Sequence, residues 1–246
     1  MIESAGEPGV QSVHRALGLI ETVADAGGNM SIRELADATE LPQPTVHRLL
    51  RTLVERGYMR QLPDRSYALG FHLVPLGAAA NAQVGAGVER VLTDLVRELG
   101  ETANLAILTG DKAEYVAQAP SSHAMRMFTE VGRRVDLHAT GVGKALLAQL
   151  DDEEVIAIVR RTGLAARTAH TIATELALHA ALAEIRARGY AIDEQEQELG
   201  VRCVAVAIPS LRTALSVSGP LTRMDDELVA RAVPLLLAAS RRLATG

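Results

Sequence analysis

Val46, Leu49, Leu50 and Leu53 recur at i, i+3, i+4 and i+7, with Arg48 and Arg51 falling between them. On a helix that pattern makes one face apolar and turns the two arginines the other way. Two prolines mark the start: the residue before a proline avoids the helical region, so Gln43 is expected as the N-cap and Pro44 as the first helical residue. Alone, such a stretch is an ordinary amphipathic helix. Its neighbours decide what it becomes.

Upstream, Val13, Ala16, Leu17, Ile20 and Ala24 keep helical spacing until Gly27 and Gly28 end the run. Ser31, Ile32, Arg33 and Glu34 fit a capping box, followed by a short helix to about Thr39. Downstream, residues 58–62 and 66–69 flank the turn-rich Pro63, Asp64 and Arg65 and read as a two-stranded ribbon. Three short helices and a hairpin make a winged helix-turn-helix over residues 1–70, with the polar residues 1–10 expected to fray. In that architecture the third helix enters the major groove of double-stranded DNA and the ribbon reaches phosphate. The candidate DNA contacts are Ser31, Gln43, Thr45, His47, Arg48, Arg51 and Arg65.

Charge agrees with a local rather than a bulk interaction. The chain carries a formal charge of −5, which argues against coating nucleic acid through overall charge. Residues 43–65 nevertheless hold five arginines against two acids, whereas residues 1–42 hold two arginines against seven acids. A hydrophobic fraction of 48% with 2% aromatics and no Trp implies a core of Ala, Leu, Val and Ile. One cysteine, Cys203, excludes an internal disulfide, and no leader-like N-terminus is evident, so the expected location is cytoplasmic. Residues 70–88 lack formal charge, but Pro75, Asn81, Gln83 and many small residues make them too weakly apolar for a membrane span. They read as a linker helix over 71–88 and a candidate dimer contact, with Pro75 either starting or kinking it.

Residues 89–246 alternate helical and strand patterns. Helices are expected near 88–99, 141–150, 152–160, 174–188 and 225–243, and strands near 102–109, 113–119, 190–194, 202–208 and 213–218. The fold class is α+β, with a largely antiparallel sheet flanked by helices. Thr140, Gly141, Val142 and Gly143 precede an apolar helix, an arrangement that favours a carboxylate through free backbone N–H groups. The pair Gly143-Lys144 invites comparison with a P-loop, but His138 stands where the first glycine is needed and Ala145 where Ser or Thr is needed. Nucleotide binding is rejected.

The segments 12–17, 31–36 and 41–53, then Gly57-Tyr58 and residues 67–70, resemble the DNA-binding domain of the IclR family of bacterial transcriptional regulators. The resemblance continues through 137–148, 185–191, 198–203 and 215–220, in order and spacing, over most of the chain. It implies a GAF-like effector-binding domain over 89–246, and a homodimer or dimer of dimers in which repression is favoured over activation. It also implies that a small 2-oxo acid or other carboxylate is held by the backbone of Gly141 and Val142 and by Asp193, Cys203, Ser216 and Ser218. No metal and no cofactor are implied, and the chain is not expected to be an enzyme. An ionised Asp193 would repel an anion unless it held a donor in place or were protonated. Gln43-Pro44 stands where family members often carry Lys-Ser, Asp136 where proline is common, and the link from 208 to 213 is short. Two alternatives remain open at this point: an enzyme with Cys203 as nucleophile, and a C-terminal domain that only oligomerises.

Overall fold

The computed structural model describes residues 10–126, 130–209 and 212–245, apart from the side chains of 80–86 and 245. The chain divides into two compact units, Met1–Val84 and Gly85–Gly246. The expected fraying of residues 1–10 lies almost wholly outside the described residues.

The first unit contains α1 (Gln11–Asp25), β1 (Asn29–Met30), α2 (Ile32–Thr39), α3 (Gln43–Glu55), β2 (Met59–Gln61) and β3 (Tyr67–Leu69). Leu19, Val23, Leu35, Val46, Leu50 and Met59 form its core. The capping box is complete: Ser31 Oγ accepts from Glu34 N–H at 3.3 Å, and Ser31 N–H donates to Glu34 Oε2 at 2.7 Å. Two local expectations are corrected. The buried face of α1 is centred on Leu19 and Val23 with Ala16 and Ile20 packed beside them, while Val13 and Leu17 are more than half exposed; helical spacing found one edge of the face that the core covers but not its centre. The cap of α3 is Pro42, not Gln43, because the Pro42 carbonyl accepts from both Thr45 and Val46 N–H at 2.8 and 3.1 Å. Pro44 is therefore the second helical residue, where its missing N–H leaves no bond unmade.

β1, β3 and β2 form a three-stranded antiparallel sheet. The two-residue β1 was not foreseen, since so short a strand has no alternation to read. After β3 only glycine fits at position 70, where a Cβ would lie 2.0 Å from the Gly57 carbonyl oxygen.

A single helix, α4 (Leu73–Leu99), replaces the linker helix and the separate helix expected from 88. Pro75 is its third residue, among the first four positions that make no intrahelical N–H bond, so it starts the helix without kinking it. The small residues read as a dimer contact fall mostly among the undescribed side chains.

The second unit is built on a six-stranded, wholly antiparallel sheet in the order β6-β5-β4-β9-β8-β7. Its strands are β4 (Thr102–Thr109), β5 (Lys112–Ala119), β6 (Arg134–Asp136), β7 (Ala191–Glu194), β8 (Val201–Ile208) and β9 (Thr213–Pro220). Leu105, Val204, Val206, Leu215 and Val217 face the C-terminal half of α4 and α8 (Asp226–Thr245). On the opposite face, Ala106, Ala191, Ala205 and Ala214 meet α5 (Gly141–Leu147), α6 (Asp152–Thr162) and α7 (Glu175–Arg188). The period-2 rule thus sorts large aliphatic side chains to one side and small ones to the other. Small residues let α5 settle close to the sheet, and every residue of α5 is buried.

Candidate functional site

On α3 the side chains of Gln43, His47, Arg48 and Arg51 are exposed and that of Thr45 is half-buried, opposite Val46, Leu50 and Leu53. Arg51 approaches Glu55 at 3.9 Å, with both side chains about 70% exposed. Such a pair contributes little and leaves Arg51 available to an anion. Arg65 stands exposed at the tip of the β2–β3 ribbon with φ +68°. Asp64 fixes that tip by accepting from Ser66 N–H at 2.9 Å and Ser66 O–H at 2.6 Å. Ser31 spends an acceptor on its helix cap. Arg60, in the same ribbon, is engaged: it donates to the Leu69 carbonyl at 3.2 Å and lies 4.9 Å over the Phe71 ring.

The second site lies between α5 and the sheet. Asp193 faces Cys203 across the β7–β8 pair, and Cys203 faces Ser218 across the β8–β9 pair. This register settles the question raised by the short 208–213 link, although residues 210–211 lie outside the described residues. Gly141 closes the group: a Cβ there would lie 3.0 Å from Cys203 Sγ. Gly143 is held tighter still, since its Cβ would lie 2.3 Å from the Leu137 carbonyl oxygen. Thr140 caps α5, accepting from Gly143 N–H at 3.1 Å and donating to the Asp136 carbonyl at 2.8 Å. With Gly143 N–H taken by Thr140 Oγ1 and Lys144 N–H by its carbonyl, the first turn of α5 has the amides of Gly141 and Val142 to offer. As α5 has only seven residues, its contribution is those two local donors.

Gly141, Asp193, Cys203 and Ser218 line one cavity. The Val142 side chain is fully buried in the core, which leaves its backbone, the part expected to serve a ligand. One of the expected residues is placed differently. Ser216 shares the face of Ser218 but sits one row away opposite Ala205, fully buried and without a well-formed hydrogen bond. Tyr115, Arg133 and Gln197 also line the cavity and were not singled out from sequence. Tyr115 was legible as an inward position on β5. Arg133 precedes a three-residue strand and Gln197 lies in a loop, so neither carries a periodic signal.

The electrostatics follow from burial. Asp193 is pushed up to about 7, first by desolvation and then by the Glu196 carboxylate, against the N–H groups of Glu196 and Gln197 and the Lys144 charge. Burial pushes the Cys203 thiol up to about 12, and the Asp193 charge adds to this. The same desolvation raises Tyr115. At neutral pH Cys203 is a thiol and a poor nucleophile. Asp136 is desolvated, yet hydrogen bonds from Lys112 and Arg167 outweigh this and hold it below the ordinary carboxylate range. Among the described residues no group of three or more His, Cys, Asp or Glu is placed to hold a metal.

Because the folded state holds the Asp193 proton more tightly than the unfolded chain, this group favours folding below about pH 4, and that contribution is lost as pH rises toward 7. Asp193→Asn should therefore gain stability relative to the parent between pH 5 and pH 8, by on the order of 1 kcal/mol or more. Urea midpoints of both proteins at the two pH values measure this, and a pH-independent difference would contradict the assignment.

Comparison with known proteins covers both units of the chain. The IclR helix-turn-helix domain matches residues 12–63, and the bacterial transcriptional regulator IclR C-terminal domain matches residues 77–245. The transcriptional repressor IclR of Escherichia coli K12 is 36% identical over 243 residues, covering 95% of this chain and 89% of its own. A structure described as an IclR transcriptional regulator from Silicibacter sp. TM1040 superposes with a TM-score of 0.88 at 30% identity, over 95% of each chain. An IclR homologue from Microbacterium hydrocarbonoxydans, crystallised with 4-hydroxybenzoate, shares the fold at a TM-score of 0.76 and 22% identity, over 96% of this chain and 98% of its own. Among the described residues no helix is long and apolar enough to cross a membrane. Matched by these two domains in its two units and by a relative at 36% identity over most of its length, the chain belongs to the IclR family of bacterial transcriptional regulators.

Proposed function

We propose that this IclR-type regulator is a cytoplasmic repressor whose operator affinity is set by a small organic acid bound between α5 and the sheet. The observation that carries the reading is the convergence of Gly141, Asp193, Cys203 and Ser218 on one cavity from four separate elements. Ser216, one row from Ser218 on the same face of β9, acts from behind the cavity without lining it. The bound 4-hydroxybenzoate of the Microbacterium homologue supports a carboxylate as the class of ligand. Functionally, residues 1–70 read DNA through Ser31, Gln43, Thr45, His47, Arg48, Arg51 and Arg65, residues 71–88 link, and residues 89–246 sense the effector. The working assembly is a homodimer or dimer of dimers on a pseudo-palindromic operator, because one recognition helix spans too few base pairs for useful specificity.

The segment after β7 walls the cavity through Gln197, and its carbonyls at 195 and 196 accept from Thr168 and Thr171 at 2.7 and 2.6 Å. An acid that binds better to one arrangement of the protein than to another shifts the equilibrium by its differential affinity, and operator affinity changes with it.

A thermal-shift screen of metabolites, followed by footprinting upstream of the protein's own gene with and without the hit, tests the reading. Ser216→Ala combined with Ser218→Ala should reduce acid binding at least tenfold while leaving operator binding without acid intact. Calorimetry showing undiminished affinity would remove the two serines from the pocket.

A further inference from the structure

Asp193 lines the cavity as a buried acid, and each charge around it can be traced to an element. From α5, Lys144 reaches it through charge alone, since the lysine's own hydrogen bonds go to Glu196 and, at 2.7 Å, to the Ile192 carbonyl. From the segment after β7, the Glu196 carboxylate opposes an ionised Asp193, while the N–H groups of Glu196 and Gln197 favour it. From β8, Cys203 faces it as a neutral thiol, and from β5 the Tyr115 hydroxyl is kept neutral by burial. Arg133 and Glu198 stand exposed at the mouth, one of each sign.

The interior otherwise offers donors. The Gly141 and Val142 amides point from the first turn of α5, and Ser218 Oγ accepts from Asn104 at 3.3 Å, which leaves the serine its hydrogen to give. A ligand carboxylate set among them lies beside Asp193: a Cβ on Gly141 would be 3.0 Å from Cys203 Sγ, and Cys203 is the cross-strand partner of Asp193. Two carboxylates that share a desolvated site do not both stay ionised; they hold one proton between them. Asp193 Oδ1 accepts from Glu196 N–H at 2.7 Å, so Oδ2 is the atom that carries this proton and donates it to the ligand.

Given that this pocket holds the effector, we infer that the organic acid binds as its carboxylate together with one proton, held on Asp193 and shared between the two carboxyl groups. The proton comes from solvent wherever the free protein has lost it, so a given concentration of the acid fills the site more completely as pH falls. Burial sets the free Asp193 at about 7, so affinity is level below that pH and falls about tenfold per pH unit well above it. The regulator reads acidity together with the acid.

Calorimetric titration of the full-length protein with pyruvate, lactate and 4-hydroxybenzoate at pH 6, 7 and 8, in buffers of different ionisation enthalpy, tests this. The affinity of an acid that binds should fall about tenfold from pH 6 to pH 8, while proton uptake rises from about 0.1 to about 0.9 per ligand. Asp193→Asn, whose amide donates at every pH, should level the profile to within about twofold and bind without proton uptake. Affinity independent of pH in the parent, no proton taken up at pH 8, or a profile that persists in Asp193→Asn overturns the inference. The effector reading survives any of these if Ser216→Ala with Ser218→Ala still weakens binding of the same acid. Binding by none of the three acids also overturns the inference, and the wider metabolite screen then decides the effector reading by itself.

Discussion

Arg48→Ala and Arg51→Ala are each expected to weaken operator binding by about ten- to a hundredfold at fixed salt, the range for losing an arginine contact to a base edge. Both side chains are exposed on the face of α3 opposite Val46, Leu50 and Leu53, so neither substitution opens the core. Stability should stay within about 0.5 kcal/mol, leaving affinity as the quantity that moves. The two contacts are separable by their chemistry. An arginine that reads a base should lose discrimination at one position of the site. One that reaches phosphate should weaken all sequences alike and lower the salt slope by about one. Mobility-shift titration on DNA selected by the parent protein provides both measurements. Unchanged affinity in both variants would remove α3 from the groove.

The other large effect is expected at Lys144, which is buried beneath the proposed effector site and hydrogen-bonded to Glu196 and the Ile192 carbonyl. Lys144→Met leaves the Glu196 carboxylate 5% exposed with no counter-charge, and its Oε2 is already unpartnered. Stranding one member of a buried ion pair costs about 3–5 kcal/mol, whereas replacing both by neutral groups of similar size is often close to neutral. Lys144→Met with Glu196→Gln should therefore recover most of what the single change loses. Chemical unfolding of the four proteins in the cycle measures the coupling. A single substitution costing under about 1 kcal/mol, or a double no better than the single, would show that the pair contributes little.

The consequence reaches the ligand site through short covalent distance. Glu196 donates its own N–H to Asp193, and its carbonyl is held by Thr171 at 2.6 Å. Lys144 is three residues past Gly141 on α5. One ion pair thus ties the helix that offers amide donors to the segment that covers the cavity.

How much of this was legible in the sequence differs between the two sites. Ser31 and Glu34 announce their capping box because all four participating groups lie within four residues. The Arg48 and Arg51 face of α3 is likewise local, set by the phase of one helix against Val46, Leu50 and Leu53. The same rule found only one edge of the buried side of α1, Ala16 and Ile20, because Val13 and Leu17 are as apolar as Leu19 and Val23, and only packing against α2 and α3 selects between them. Pro42 displaced Gln43 as the cap of α3 because the first carbonyl to accept, not the proline rule for the preceding residue, fixes where the helical ladder begins.

In the second unit, alternation on β8 and β9 was sufficient to put Cys203 on one face and Ser216 with Ser218 on another shared face. It did not establish that these faces are the same side of the sheet. That depends on register, and the pairing of Cys203 with Ser218 and of Asp193 with Cys203 is a property of three strands together. Arg133 and Gln197 were invisible for the same reason: each is brought to the cavity by tertiary placement of a segment without periodicity.

The sequence by itself determined the types of the longer elements though not the short strands β1 and β6, the winged helix-turn-helix, the exposed arginine face of α3 and the glycines of the α5 turn, since each rests on interactions among residues close along the chain. Only the tertiary structure decided which apolar stripe of α1 is buried, that Ser218 and not Ser216 reaches the cavity, and that Arg133 stands at its mouth. It also decided that Asp193 is desolvated enough to hold a proton near neutral pH. Burial and strand register depend on groups far apart in sequence, and no local spacing encodes them.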